Sequence, residues 1–218
     1  MNSRESLPII LRAHPRAKRL KLSFDRVRQQ AIVTHPRHIS AAQAQRFAAQ
    51  HYQWIERQLH NQNAQADLPY LRVDEQVLPF RGQSIAWLDA GLVPLDIAAL
   101  MDWYAKQARI ALHAEIECLI PLVVKKPTRI SIRNNRSRWG SCSAKGALSF
   151  SWRLIVAPPM LLRYVGAHEM AHLDHMNHSA AFWAQCAYLY GSEKDMKAAH
   201  KQLRHDSVML MRFLRDAV

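Results

Sequence analysis

Between Glu117 and Glu169 the chain has no acidic residue, while Lys125, Lys126, Arg129, Arg133, Arg136, Arg138, Lys145, Arg153 and Arg163 lie in that interval. Paired carboxylates for Mg²⁺ are therefore absent there, and no glycine loop of the Walker type appears anywhere. Cysteine is scarce. The three thiols, Cys118, Cys142 and Cys186, are far apart and never in a Cys-x-x-Cys pair, which argues against a disulfide framework and a thiolate zinc site. Long apolar runs are also missing: the best candidate, 85–104, is broken by Asp89, Pro94, Asp96 and Asp102, far short of the ~20 apolar residues a bilayer needs. No secretory apolar run follows Met1, so a cytoplasmic protein with no membrane segment is expected.

What is present is positive charge. The net charge is +13, and a second basic excess near the start sets Arg12, Arg16, Lys18, Arg19, Lys21, Arg26 and Arg28 against Asp25 alone. Such fields make nucleotides, nucleic acid or acidic proteins the candidate partners. Oligomeric state has no signature.

Leu20, Leu22 and Phe24 alternate with polar residues, the period of a half-buried strand. Ser40-Ala41-Ala42-Gln43 reads as a capping box opening one amphipathic helix over about 40–62, and 77–88 reads as a hairpin around Gly82. Ile97, Leu100, Met101, Tyr104, Ala108, Leu112 and Leu119 predict a long helix ending before Pro121. A domain boundary is placed near Pro94, giving a β-rich region over 1–93 with one helix and a second domain over 94–218. In the latter, 128–134 and 148–156 alternate as two strands expected to form an antiparallel hairpin through Lys145-Gly146. Pro159 then suits the first turn of a further helix.

That helix carries His168-Glu169-Met170-Ala171-His172. Residues four apart rise ~6 Å on nearly one face, so two neutral imidazoles can grip one Zn²⁺ while the glutamate takes a proton from the water the metal polarises. For a third ligand, His175 continues along the helix but stands too far up the axis to close a tetrahedral site with His168. His178 fits better: Asn177 could end the helix in a left-handed conformation and Ser179 could cap the next, leaving His178 at the corner. Glu193, a distant glutamate, stays open beside them.

Arg138-Trp139-Gly140-Ser141-Cys142-Ser143, Phe150-Ser151-Trp152-Arg153-Leu154-Ile155, Tyr164 through Leu173 around the two histidines, and Asn177-His178-Ser179-Ala180-Ala181-Phe182-Trp183 together resemble the successive signatures of YgjP-like metal-dependent hydrolases, relatives of SprT-like and WLM proteins. The resemblance implies an α+β fold with a zincin-like catalytic domain, one zinc ion at His168, His172 and His178, and Glu169 as the base. Ser151, Arg163 and Gly166 depart from it, standing where asparagine, an acid and a bulkier residue are usual.

The expected activity is zinc-dependent hydrolysis, foremost of peptides, with Arg136 and Arg138 beside the cleft as candidates for holding an oxyanion or phosphate. Hydrolysis of nucleotide phosphoanhydrides is the alternative. A nucleic-acid-associated protein with a structural metal is a further one, although structural zinc favours four protein ligands and cysteine.

Overall fold

Alternating apolar residues in the first forty positions build three strands, β1 (Ile9–Ala13), β2 (Lys21–Asp25) and β3 (Gln30–His35). In this computed structural model, which describes residues 9–25, 28, 30–63, 68, 71–94, 96–135 and 137–214, they form a sheet in the order β1-β3-β2, with β1 parallel and β2 antiparallel to β3. Val33 of β3 is buried with Ala44 and Ala48 of α1 (Ala41–Gln50). The capping box at Ser40 and Gln43 forms as expected. The single helix expected over 40–62 is instead two. His51 leaves helical geometry at φ −108°, its Nδ1 lying 2.8 Å from the Phe47 carbonyl oxygen, and α2 (Tyr52–Asn63) starts afresh.

The chain divides into two compact units at Ala66 and Asp67, earlier than the boundary near Pro94. The hairpin of β4 (Val77–Phe80) and β5 (Gln83–Ala86) accounts for the difference, since Leu78 and Trp87 are buried in the same core as the long helix that follows. At its turn, Arg81 and Gly82 both adopt positive φ, as a two-residue hairpin of right-handed twist requires. A Cβ at Gly82 would stand 2.8 Å from Pro158 Cγ. The amides of Arg81 and Gly82 donate to Ile155 and Val156, each at 2.8 Å, tying the turn to the segment ahead of the histidine helix.

Helix α3 (Ile97–Leu119) is capped by Asp96 and buries one stripe from Leu100 to Leu119. It is anchored to the hairpin by Tyr104, whose hydroxyl donates to the Pro79 carbonyl at 2.6 Å. The next sheet corrects the expected antiparallel hairpin. Its order is β6-β8-β7, where β6 (Arg129–Arg133) runs parallel to β8 (Ala147–Ser151), and a strand with no apolar alternation, β7 (Gly140–Cys142), is the antiparallel partner of β8. The Gly146 turn, at φ 76°, therefore joins β7 to β8. Strand β8 also stops at Ser151 rather than Val156, because the Ser151 hydroxyl accepts from the Arg153 amide and opens a 3-10 turn over Trp152–Ile155.

Three helices complete the unit: α4 (Pro159–Asp174), α5 (Ala180–Tyr190) and α6 (Glu193–Arg212). Pro159 heads α4 as expected. Helix α4 packs on α3, α5, α6 and β7, which makes it the central element. Gly166 lies at the crossing with α3, where a Cβ would stand 3.3 Å from Glu115 Cγ. The fold is mixed α+β, and among the described residues no helix is long and apolar enough to cross a membrane.

Candidate metal centre

One face of α4 projects His168 and His172 toward α5, and the turn between the two helices brings His178 to them. Helix α4 ends at Asp174. His175 is extended at φ −132° and Asn177 has no positive φ, so the expected left-handed stop at Asn177 does not occur. Three hydrogen bonds hold the corner: the Asp174 carboxylate accepts from the Val124 and Lys125 amides at 3.1 and 3.0 Å, and the Ser179 hydroxyl accepts from Phe182 N–H to cap α5.

The result is a group of three ring nitrogens, from His168, His172 and His178, all within 4.8 Å of one another. The Nε2 atoms of His168 and His178 are 3.2 Å apart. Two nitrogens at ~2.1 Å from one tetrahedral zinc stand about 3.4 Å apart, so the spacing fits a shared ion. The outer nitrogens have partners of their own. His172 Nδ1 lies 3.0 Å from the His175 carbonyl oxygen, and His168 Nδ1 lies 3.4 Å from the Tyr164 hydroxyl. A proton on each Nδ1 leaves the Nε2 lone pair for a cation, the usual arrangement behind metal-ligating histidines. Beneath all three rings lies the fully buried Phe182, with centroids at 4.9, 4.5 and 4.7 Å from His168, His172 and His178.

Electrostatics act in the same sense. Burial, then the neighbouring His172, His178 and His200, depress His168 to about 3, so the ring stays neutral, as a ligand must be. Glu169 is 6% exposed, and burial raises its carboxyl to about 7 against the opposing charge of Arg138. It leans against β7: a Cβ at Gly140 would come within 2.5 Å of Glu169 Cγ and 2.6 Å of Oε1. Only glycine gives that carboxylate its place.

Of the alternatives for a third ligand, Glu193 heads α6, exposed and paired with Lys197, and the His175 ring is outside the nitrogen group, its backbone carbonyl serving His172 instead. Arg138 lies two residues before β7, with Trp139 between them, and Arg136 lies outside the described residues. Three site residues have no role in the sequence reading. Gly140 and Tyr164 stand inside quoted motifs, while His200 of α6 carries no signal; its ring stacks between Tyr164 and Trp183 at 5.4 and 5.6 Å. A cavity of about 270 Å³ opens here, walled by Trp139, Tyr164, His168, Glu169, His200 and Arg204.

The departing residues have structural reasons. Ser151 caps the 3-10 turn, Gly166 admits α3, and the Arg163 guanidinium lies 5.3 Å from the Tyr190 ring centroid and 3.8 Å from Glu115.

No curated protein and no solved structure matches the chain significantly. The family model described as YgjP-like, metallopeptidase domain, matches residues 94–206, just over half of the sequence and the whole of α3 through the middle of α6. With a three-histidine group at its centre and a metallopeptidase domain matched around it, the chain belongs to the YgjP-like metallopeptidase family.

Proposed function

We propose that the protein is a zinc-dependent peptidase of the zincin type, with one ion held by His168, His172 and His178 and with Glu169 as general base. The convergence of three ring nitrogens beside a buried carboxyl carries this reading. Zinc, when bound, supplies a Lewis acid that brings the acidity of a water near neutrality. The chain's own residues do the rest. Glu169, walled by β7 and raised toward neutrality by burial, is matched to accept a proton at a carboxylate oxygen and to return it to the departing amine. Tyr164 and the His175 carbonyl keep the two helical imidazoles oriented. Strand β7 is an edge of its sheet and starts beside Glu169, so an extended peptide can add to it by backbone hydrogen bonds. Arg138, at the head of that edge, is positioned to hold a developing oxyanion or an acidic side chain.

Zinc content and peptide-library cleavage, measured on wild type, Glu169→Gln, His178→Ala and His175→Ala, test this. Glu169→Gln should keep zinc and lose cleavage, and His178→Ala should lose zinc. Equal zinc in wild type and His178→Ala, or full activity of Glu169→Gln, would overturn it. Pyrophosphate release from nucleoside triphosphates without any peptide cleavage would favour the phosphoanhydride reading, to which the acid-free interval points.

A further inference from the structure

The sheet β6-β8-β7 has two unlike faces. Ile130, Ile132, Leu148 and Phe150 turn into the core. The opposite face carries Arg129, Ser131 and Arg133 on β6, and a row of serines crosses it in register, Ser131 opposite Ser149 and Ser149 opposite Ser141. Short side chains in the middle and long ones at the margins leave a trough of about 550 Å³, bounded by Arg129, Arg133 and Arg138. All three arginines are exposed, and none joins an ion pair among the described residues. The other cations of the acid-free interval are partly committed elsewhere. Arg153 is buried, donating to the Phe213 carbonyl and Asn134 Oδ1, Arg163 is beside Glu115, and Lys126 Nζ donates to the Ile120 and Val123 carbonyls.

We propose that this trough binds the sugar–phosphate backbone of a nucleic-acid strand, without regard to base sequence. Side chains on one face of a strand repeat every ~6.6 Å, so Arg129 and Arg133, two such steps apart, can each take a phosphate of one strand, with Ser131 as the floor between them. The guanidinium fork matches two phosphate oxygens at once. Among the described residues no aromatic ring lines the trough, so bases have no stacking platform and the backbone is what is read. An acidic peptide fits less well. The face of a sheet has no free backbone donors or acceptors, so a peptide there forgoes main-chain hydrogen bonds, whereas a phosphodiester needs only side-chain donors.

Fluorescence anisotropy of the full chain with a labelled mixed-sequence single strand, and with the same sequence as a duplex, titrated over a range of salt, tests this without any hydrolysis or zinc. Arg129→Gln/Arg133→Gln/Arg138→Gln should weaken binding about tenfold or more and flatten the salt slope by roughly two to three. A control of equal charge change, Lys106→Gln/Arg109→Gln/Lys201→Gln, should stay near wild type. The single variants Arg129→Gln and Arg133→Gln should each weaken binding severalfold, so a misfolded triple variant does not blunt the test. No binding at low salt, equal losses in the triple variant and the control, or polyglutamate binding as tightly as the oligonucleotide at equal charge would each overturn the proposal.

Discussion

At the scale of single residues, the site turns on where Glu169 sits. Burial that raises its carboxyl to about 7 from an ordinary 4.5 disfavours the charged form in the folded state. This group's stabilisation is therefore full below its unfolded value and is lost as pH rises through about 7. The metal-free protein should thus lose on the order of 3 kcal/mol from this group between pH 5 and pH 8. His168, depressed to about 3, acts in the opposite sense, its contribution being lost as pH falls below its ordinary value of 6.5. Urea unfolding of metal-free wild type beside Glu169→Gln isolates the carboxylate, since the histidines are common to both. The variant should gain stability at pH 8 relative to pH 5. Gly140→Ala should be as damaging to cleavage as losing the base, because the added methyl falls 2.5 Å from Glu169 Cγ. A rate drop of about a hundredfold or more with zinc content unchanged is the expected reading. His175→Ala keeps the carbonyl that holds His172 and should keep its zinc as well; metal analysis after dialysis checks this.

At the scale of elements, the metal group depends on the meeting of α4 and α5. Periodicity places His168 and His172 on one helical face, and the capping serine puts a new helix start at Ser179; both were legible in the residues alone. The manner in which α4 ends was not. Asp174 accepts amides fifty residues away in the chain, and such a contact has no local signature. The pairing of β6 with β8 escaped for a related reason: alternation shows that two strands exist but not their direction, and the intervening β7 is three residues without apolar alternation. Ser179→Ala should cost about 1 kcal/mol of stability through the lost cap and raise the zinc dissociation constant severalfold, because it loosens the start of α5 beside His178. Thermal unfolding and a competitive zinc titration measure the two effects.

At the scale of the whole molecule, every residue of the metal group and its supporting shell lies within Asp67–Val218, which has a core of its own. A chain beginning at Asp67 should therefore retain one zinc per molecule, checked by metal analysis against the full chain. The three thiols provide a separate reading of packing. Cys186 is fully buried with its thiol pushed up to about 12 by burial and the nearby Glu169, whereas Cys118 is exposed. Mass spectrometry after brief alkylation of the native protein should find Cys118 modified and Cys186 untouched, with Cys186 reacting only on unfolding.

By itself the sequence determined the elements whose cause is local: the capping box at Ser40, the stripe of α3, the start of α4 at Pro159, and two histidines one helical turn apart, since period and capping are properties of neighbours in the chain. Tertiary structure decided what depends on distant partners. It set the parallel course of β6 and β8, the glycine contact that seats Glu169, the aromatic floor of Phe182 beneath three imidazoles, and which cations face solvent rather than the interior. Hydrophobic burial can choose among such arrangements only once the whole chain has folded, because it is non-directional and scales with the area removed from water.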